Sequence, residues 1–156
     1  LLLLFAAGSL WISLGLLIPV LQRRFIGDTL IEMNREAIQL SQPAKLRIKQ
    51  LGEGIIAGFS ARLLCEERAR KGEGKDAHAE RCVVAEYPIV EASNISVTRA
   101  KRAVFEKEIQ LPPEAMHSFQ STCKSIEWYV RIELKAKLMP ARRQSFSVPV
   151  RVGSPE

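Results

Sequence analysis

The chain has 156 residues, 47% of them hydrophobic and 26% charged, a balance that excludes a disordered polymer and fits a single folded domain. Its 23 Lys and Arg outweigh 17 Asp and Glu for a formal net charge of +6, and every one of those charges follows residue 21. Three cysteines, an odd number, favour reduced thiols over a disulfide framework.

Residues 1–21 carry no charge. At ~1.5 Å rise per residue such a helix spans roughly 32 Å, the thickness of a hydrocarbon core of about 30 Å. The reading is one transmembrane helix at 1–21, followed by a basic juxtamembrane linker at 22–27. A buried core helix is the first alternative, but so small a domain has too little chain to cover it on every side. A cleaved signal peptide is the second; the apolar stretch is longer than a typical signal core and lacks a small-x-small cleavage pattern. Arg23 and Arg24 follow the span, and by the positive-inside tendency they place the remaining chain in the cytoplasm. The net positive charge agrees with a domain facing an anionic inner leaflet. The expected location is thus the membrane, single-pass, with a cytoplasmic domain.

From residue 28 onward, apolar residues recur at every second position, the period of half-buried strands. In chain order, strands are expected at 29–33, 45–49, 59–66, 82–90, 104–111, 125–135 and 145–152. The clearest is 125–135, where Ile126, Trp128, Val130, Ile132 and Leu134 point one way and Glu127, Tyr129, Arg131, Glu133 and Lys135 the other. In the last, Phe146, Val148, Val150 and Val152 share a face, and Pro149 marks an edge position. Turn chemistry separates the runs at Gly52-Glu53-Gly54, at 71–76, at Ser93-Asn94, at Pro112-Pro113 and at Met139-Pro140. About seven strands with one apolar face each predict an all-β, two-sheet antiparallel sandwich of the immunoglobulin-like kind over 28–152, with a tail at 153–156.

The second half of the chain carries a resemblance. Residues 105–119 run as a strand into Ile109-Gln110-Leu111-Pro112 and on to Ser118-Phe119. A strand containing Trp128 follows, and the chain closes on Phe146-Ser147-Val148-Pro149-Val150. This resembles the second half of an arrestin-like sandwich, and the chain is similar to bacterial membrane proteins that place such a sandwich after transmembrane helices. The resemblance implies a scaffold for interactions rather than a catalyst. Arrestin-type proteins pair two sandwiches around a buried polar core that senses phosphorylated receptors. This chain has length for one sandwich and no match to that core.

No constellation points to catalysis. His78 and His117 fall on expected loops, and Ser118 beside His117 lacks the nucleophile-elbow context. Cys65, His78 and Cys82 do not have zinc-ligand spacing, and Gly72 and Gly74 lack the residues of a phosphate loop. Glu66-Glu67 and Glu106/Glu108 read as a solvated sheet face. No enzyme activity, cofactor, metal or small-molecule substrate is expected. Cys65 and Cys82 lie symmetrically about Glu73-Gly74, so a hairpin centred there would let them face each other as a disulfide; two reduced, packed thiols are the other reading, since a one-residue shift of register removes the facing. Among the basic groups, Arg23, Arg24, Arg99, Lys101 and Arg102 are candidate contacts for anionic lipid. Low aromatic content, 6%, argues against nucleic acid. The expected function is a membrane-tethered, non-catalytic protein-interaction module whose sheet edge or loops take a protein partner. The alternative is a structural envelope component with the sandwich on the outer side.

Overall fold

Alternation of apolar and polar side chains lets a strand bury one face and solvate the other, and two such faces laid together make the core. The structure, a computed structural model, describes residues 27–71, 78–98, 100–137 and 139–152. The expected spanning helix at 1–21, Arg23, Arg24, Arg99 and the tail lie outside them. Among the described residues no helix is long and apolar enough to cross a membrane.

The described chain is all strand and connection: β1 Thr29–Met33, β2 Ile38–Gln39, β3 Ala44–Gln50, β4 Gly54–Lys71, β5 His78–Val97, β6 Ala103–Ile109, β7 Phe119–Gln120, β8 Lys124–Ala136, β9 Met139–Ser147 and β10 Val150–Arg151. One antiparallel sheet has the order β1-β3-β6. The second runs β5-β4-β8, and the far edge of β8 is shared by β7 and β9. A short parallel pair, β10 with β2, closes the side.

The two inner faces supply the core. On β3, Ala44, Leu46, Ile48 and Gln50 are buried while Lys45 and Arg47 are exposed. Opposite them, β4 and β8 align Phe59 with Leu134, Ala61 with Ile132, Leu63 with Val130 and Cys65 with Trp128, all buried. The Phe59 ring stacks on Phe105 of β6 at 4.5 Å between centroids and so bridges the sheets. Gln50, the polar member of the β3 set, accepts a hydrogen bond from the Thr29 hydroxyl at 2.6 Å, which satisfies both buried groups. At the other end the connection before β7 covers Trp128, whose indole N–H donates to the Met116 carbonyl at 2.8 Å.

Three expectations are corrected here. The single last strand at 145–152 is two: β9 ends at Ser147, and the chain crosses at Val148-Pro149 to pair β10 with β2. Val148 and Val150 stay buried across the change of sheet, while Val152 is 63% exposed. Met139-Pro140, expected as a turn, opens β9. Ser93-Asn94, also expected as a turn, lies within β5, where Asn94 takes a left-handed φ of 52°, a conformation asparagine tolerates better than most residues.

β4 and β5 are 18 and 20 residues long, against 5 to 7 in β1, β3 and β6. At ~3.3 Å per residue the hairpin is roughly 60 Å long, more than twice the sheet it packs against. Its distal third, from Glu66 to Lys71, pairs with β5 throughout and with β8 as far as Ala69.

Candidate interaction site

The hairpin offers two surfaces: the outer face it shares with β8, and the free edge of β5. On the outer face, register sets Leu64 beside Tyr129, Glu66 beside Glu127 and Arg62 beside Arg131. Two carboxylates directly opposite repel, and Arg68 resolves the conflict. Its Nε donates to Glu66 Oε1 at 2.7 Å, and its Nη2 lies 3.2 Å from Glu127 Oε2. The Tyr129 hydroxyl donates to Glu66 Oε2 at 3.1 Å and accepts from Arg131 Nη2 at 3.0 Å. The Arg131 guanidinium also sits over the Tyr129 ring, 5.4 Å from its centroid. Long neighbouring side chains thus bury Leu64, Glu66 and Tyr129 on a face that would otherwise be wet.

Burial pushes the Glu66 carboxyl up, but the hydrogen bonds from Arg68 and Tyr129 and the charges of Arg68 and Arg81 outweigh it and hold the group below the usual carboxylate range. Burial, then the bond to Glu66, pushes the Tyr129 phenol the other way. Because the folded-state value of Glu66 is depressed, its contribution is present above the unfolded carboxylate value of about 4.3 and is lost as pH falls through the folded one. Urea unfolding at neutral pH and near pH 3 is expected to show the wild type losing about 1 kcal/mol more than Glu66→Gln, the size of one partly exposed charge-assisted hydrogen bond. Equal losses would mean that this network does not contribute.

The β5 edge is the less satisfied surface. Among the described residues β5 ends its sheet and pairs only with β4. Two residues on it are extra to the ladder: Val84, since Glu66 pairs with Val83 and Cys65 with Ala85, and Ile89, since Arg62 pairs with Pro88 and Ala61 with Val90. Such bulges, and a proline that cannot donate, are common guards of sheet edges. The Ile89 bulge and Pro88 guard the stretch at 88–90, and the Val84 bulge interrupts the ladder once nearer the tip. Between the hairpin tip and Pro88 the edge is open, and Val83 and Val84 are 44% and 39% exposed on it.

The expected facing of Cys65 and Cys82 is corrected by the same register. Lys71 pairs with His78, so the hairpin is centred one residue later than Glu73-Gly74. Cys65 therefore lies against Ala85, and Cys82 against Glu67. Both thiols are free, Cys65 buried and Cys82 exposed; Cys123, also free, is exposed. Burial, helped by the charge of Glu67, pushes the Cys65 thiol up to about 11, which leaves it unreactive as a nucleophile.

His117 is exposed, and the Ser118 hydroxyl oxygen accepts the Val150 N–H at 2.9 Å. Among the described residues no group of His, Cys, Asp and Glu could hold a metal ion. Lys101 and Arg102 are exposed in the turn between β5 and β6, at the end of the sandwich where Gly27 enters. Sequence reasoning missed the Arg68–Glu66–Tyr129–Arg131 chain. The one available signal was that its members fall on the polar phase of two neighbouring strands.

The topology and the two-sheet core are those of an all-β sandwich, consistent with an arrestin-like fold. No protein-family model matches the chain, and no curated protein matches it in sequence. Among solved structures it is similar to Spo0M, a sporulation control protein from Bacillus subtilis, with a TM-score of 0.55 and 10% identity over 81% of this chain and 49% of that one. The chain thus spans about half the length of that protein. At such identity the likeness is one of fold.

Proposed function

We propose that the chain is a membrane-tethered, non-catalytic interaction module, and that the open edge of β5 takes an added strand from a protein partner. The carrying observation is that edge, where a run of backbone donors and acceptors before Pro88 meets no other strand among the described residues. Main-chain pairing supplies affinity in such a mode, and exposed alternate side chains, here about Val83 and Val84, supply selectivity. The tether is residues 1–21, uncharged and of membrane-spanning length. Arg23 and Arg24 favour the cytoplasmic side for the sandwich.

A photoreactive amino acid placed at Val84 in the full chain is expected to crosslink a discrete partner in native membranes. The same probe at Glu106, on the outer face of β6, serves as the control and is expected to yield no such adduct. Equal labelling at the two positions, or none at Val84, would sink the edge-pairing reading.

A further inference from the structure

Four segments meet at the end of the sandwich where the chain enters at Gly27. Register fixes their meeting: Thr29 pairs with Gln50, Gln50 with Ala103, Gly54 with Val97, and Ile56 with Ala136. Gly27 and Asp28, the connection at 51–53, the turn closed by Thr98 and Lys101 and the start of the turn after Ala136 therefore lie at one end. Backbone hydrogen bonds in both directions between Thr98 and Lys101, at 3.0 and 3.2 Å, hold the third of these segments.

This end is apolar where a free strand end is normally polar. Ile55 on β4 is 64% exposed, and at the same end of the other sheet and its connection Leu30, Val104 and Leu51 are 45%, 42% and 39% exposed. Leu30 and Val104 flank Lys49 in one row of the outer face of the β1-β3-β6 sheet. The charges beside them are unequal. Asp28 is neutralised by Arg142 at 3.0 Å. Lys101, Arg102 and Lys137 are exposed, and no ion pair joins them to a carboxylate of the described residues; Glu53 is the other acid of these segments. Exposed apolar side chains at one end together with cations that no described carboxylate pairs match the interfacial zone of an anionic bilayer, where the former enter the acyl boundary and the latter meet phosphate.

We infer that this end lies against an anionic phospholipid surface, seated by Ile55, Leu51 and Val104 and held by Lys101, Arg102 and Lys137. The inference rests on the membrane-tether reading above, because the uncharged residues 1–21 reach the sandwich through Gly27, at this same end. It also extends the sequence expectation for Lys101 and Arg102: the lipid contact includes apolar side chains and is a property of a whole end of the fold.

The test uses the full chain in nanodiscs of phosphatidylcholine alone or with a quarter phosphatidylglycerol. Amide exchange at 51–56 and 100–104 is expected to slow about tenfold or more in the anionic discs, given a gain of about fivefold per basic residue near the surface. Protection is expected to vanish at ~1 M salt, where the screening length falls to about 3 Å, and in the triple variant Lys101→Glu, Arg102→Glu, Lys137→Glu. Exchange in β8 should stay the same throughout, which shows that the variant folds. Equal exchange at this end in the two lipids would overturn the inference. Carbonate extraction separates it from the tether: a chain that resists extraction yet shows no lipid-dependent protection keeps the tether and loses the docking, and one extracted from neutral discs yet protected on anionic discs does the reverse.

Discussion

Trp128→Ala is expected to destabilise the sandwich by about 3–5 kcal/mol, the range for deleting a large buried aromatic side chain. Trp128 is 1% exposed and is among the largest fully buried side chains. It stands on β8 beside Cys65, its ring lies 6.0 Å from that of Tyr87 on β5, and its N–H holds the Met116 carbonyl. Alanine therefore opens a cavity at the end of the core and frees the connection that covers it. With a urea dependence of about 1–3 kcal/mol per molar, the midpoint should fall by at least ~1 M, read by circular dichroism. Trp128→Phe keeps most of the packing and loses the indole donor, so its cost should be clearly smaller. A midpoint unchanged by the alanine variant would remove Trp128 from the core.

Gly27→Val is expected to detach β1. Gly27 has a φ of +69°, and a Cβ added there would meet Gly52 Cα at 2.2 Å and Gly52 N at 2.3 Å. Those are backbone atoms, so no side chain can rotate away, and a β-branched residue in the left-handed region adds its own strain. The Gly27 carbonyl and the Asp28 carboxylate both accept from Arg142 on β9, so the same displacement frees a guanidinium that ties β1 to the second sheet. A cost of at least ~2 kcal/mol corresponds to amide exchange in β1 faster by about 30-fold or more. Exchange in β4 and β8 should hardly change. If β1 kept its protection, the close approach of Gly27 to Gly52 would not be a constraint of the fold.

The parts of this fold legible in the sequence are those where one face is buried. β1 falls at 29–33 as expected, and β3, β6 and β8 depart from expectation by one or two residues at their ends, because core alternation marks their whole length. β4 and β5 were expected at 59–66 and 82–90 and are twice as long. Beyond Glu66 no residue of β4 enters the core cluster, so Glu67 through Arg70 show no alternation to read. β9 opens on Met139-Pro140, carries Arg142 and Arg143, and is held mainly by its ladder to β8, which leaves no hydrophobic signature. The switch from β9 to β10 was hidden for the opposite reason: Val148 and Val150 are apolar on either sheet, so the pattern continues while the backbone changes partner. Of the two readings of Cys65 and Cys82, the facing pair does not occur, because the hairpin centre lies one residue on, a displacement that side-chain pattern does not specify in an exposed ribbon. The sandwich and its core were thus readable, whereas the open β5 edge and the apolar, basic end needed the pairing register.

The long hairpin also sets a height. Gly54 and Val97, at its base, belong to the end where residue 27 enters, while the open stretch of β5 lies between ten and nineteen residues farther along the strand. At ~3.3 Å per residue that is about 33 to 60 Å. For a chain held in a bilayer at that base, the edge stands beyond the headgroup layer like an outrigger. A strand donor with no extramembrane segment cannot reach it. Candidates for the donor are therefore proteins with a long arm or a separate domain outside the bilayer, and shortening the hairpin symmetrically would change which arms are long enough to be caught.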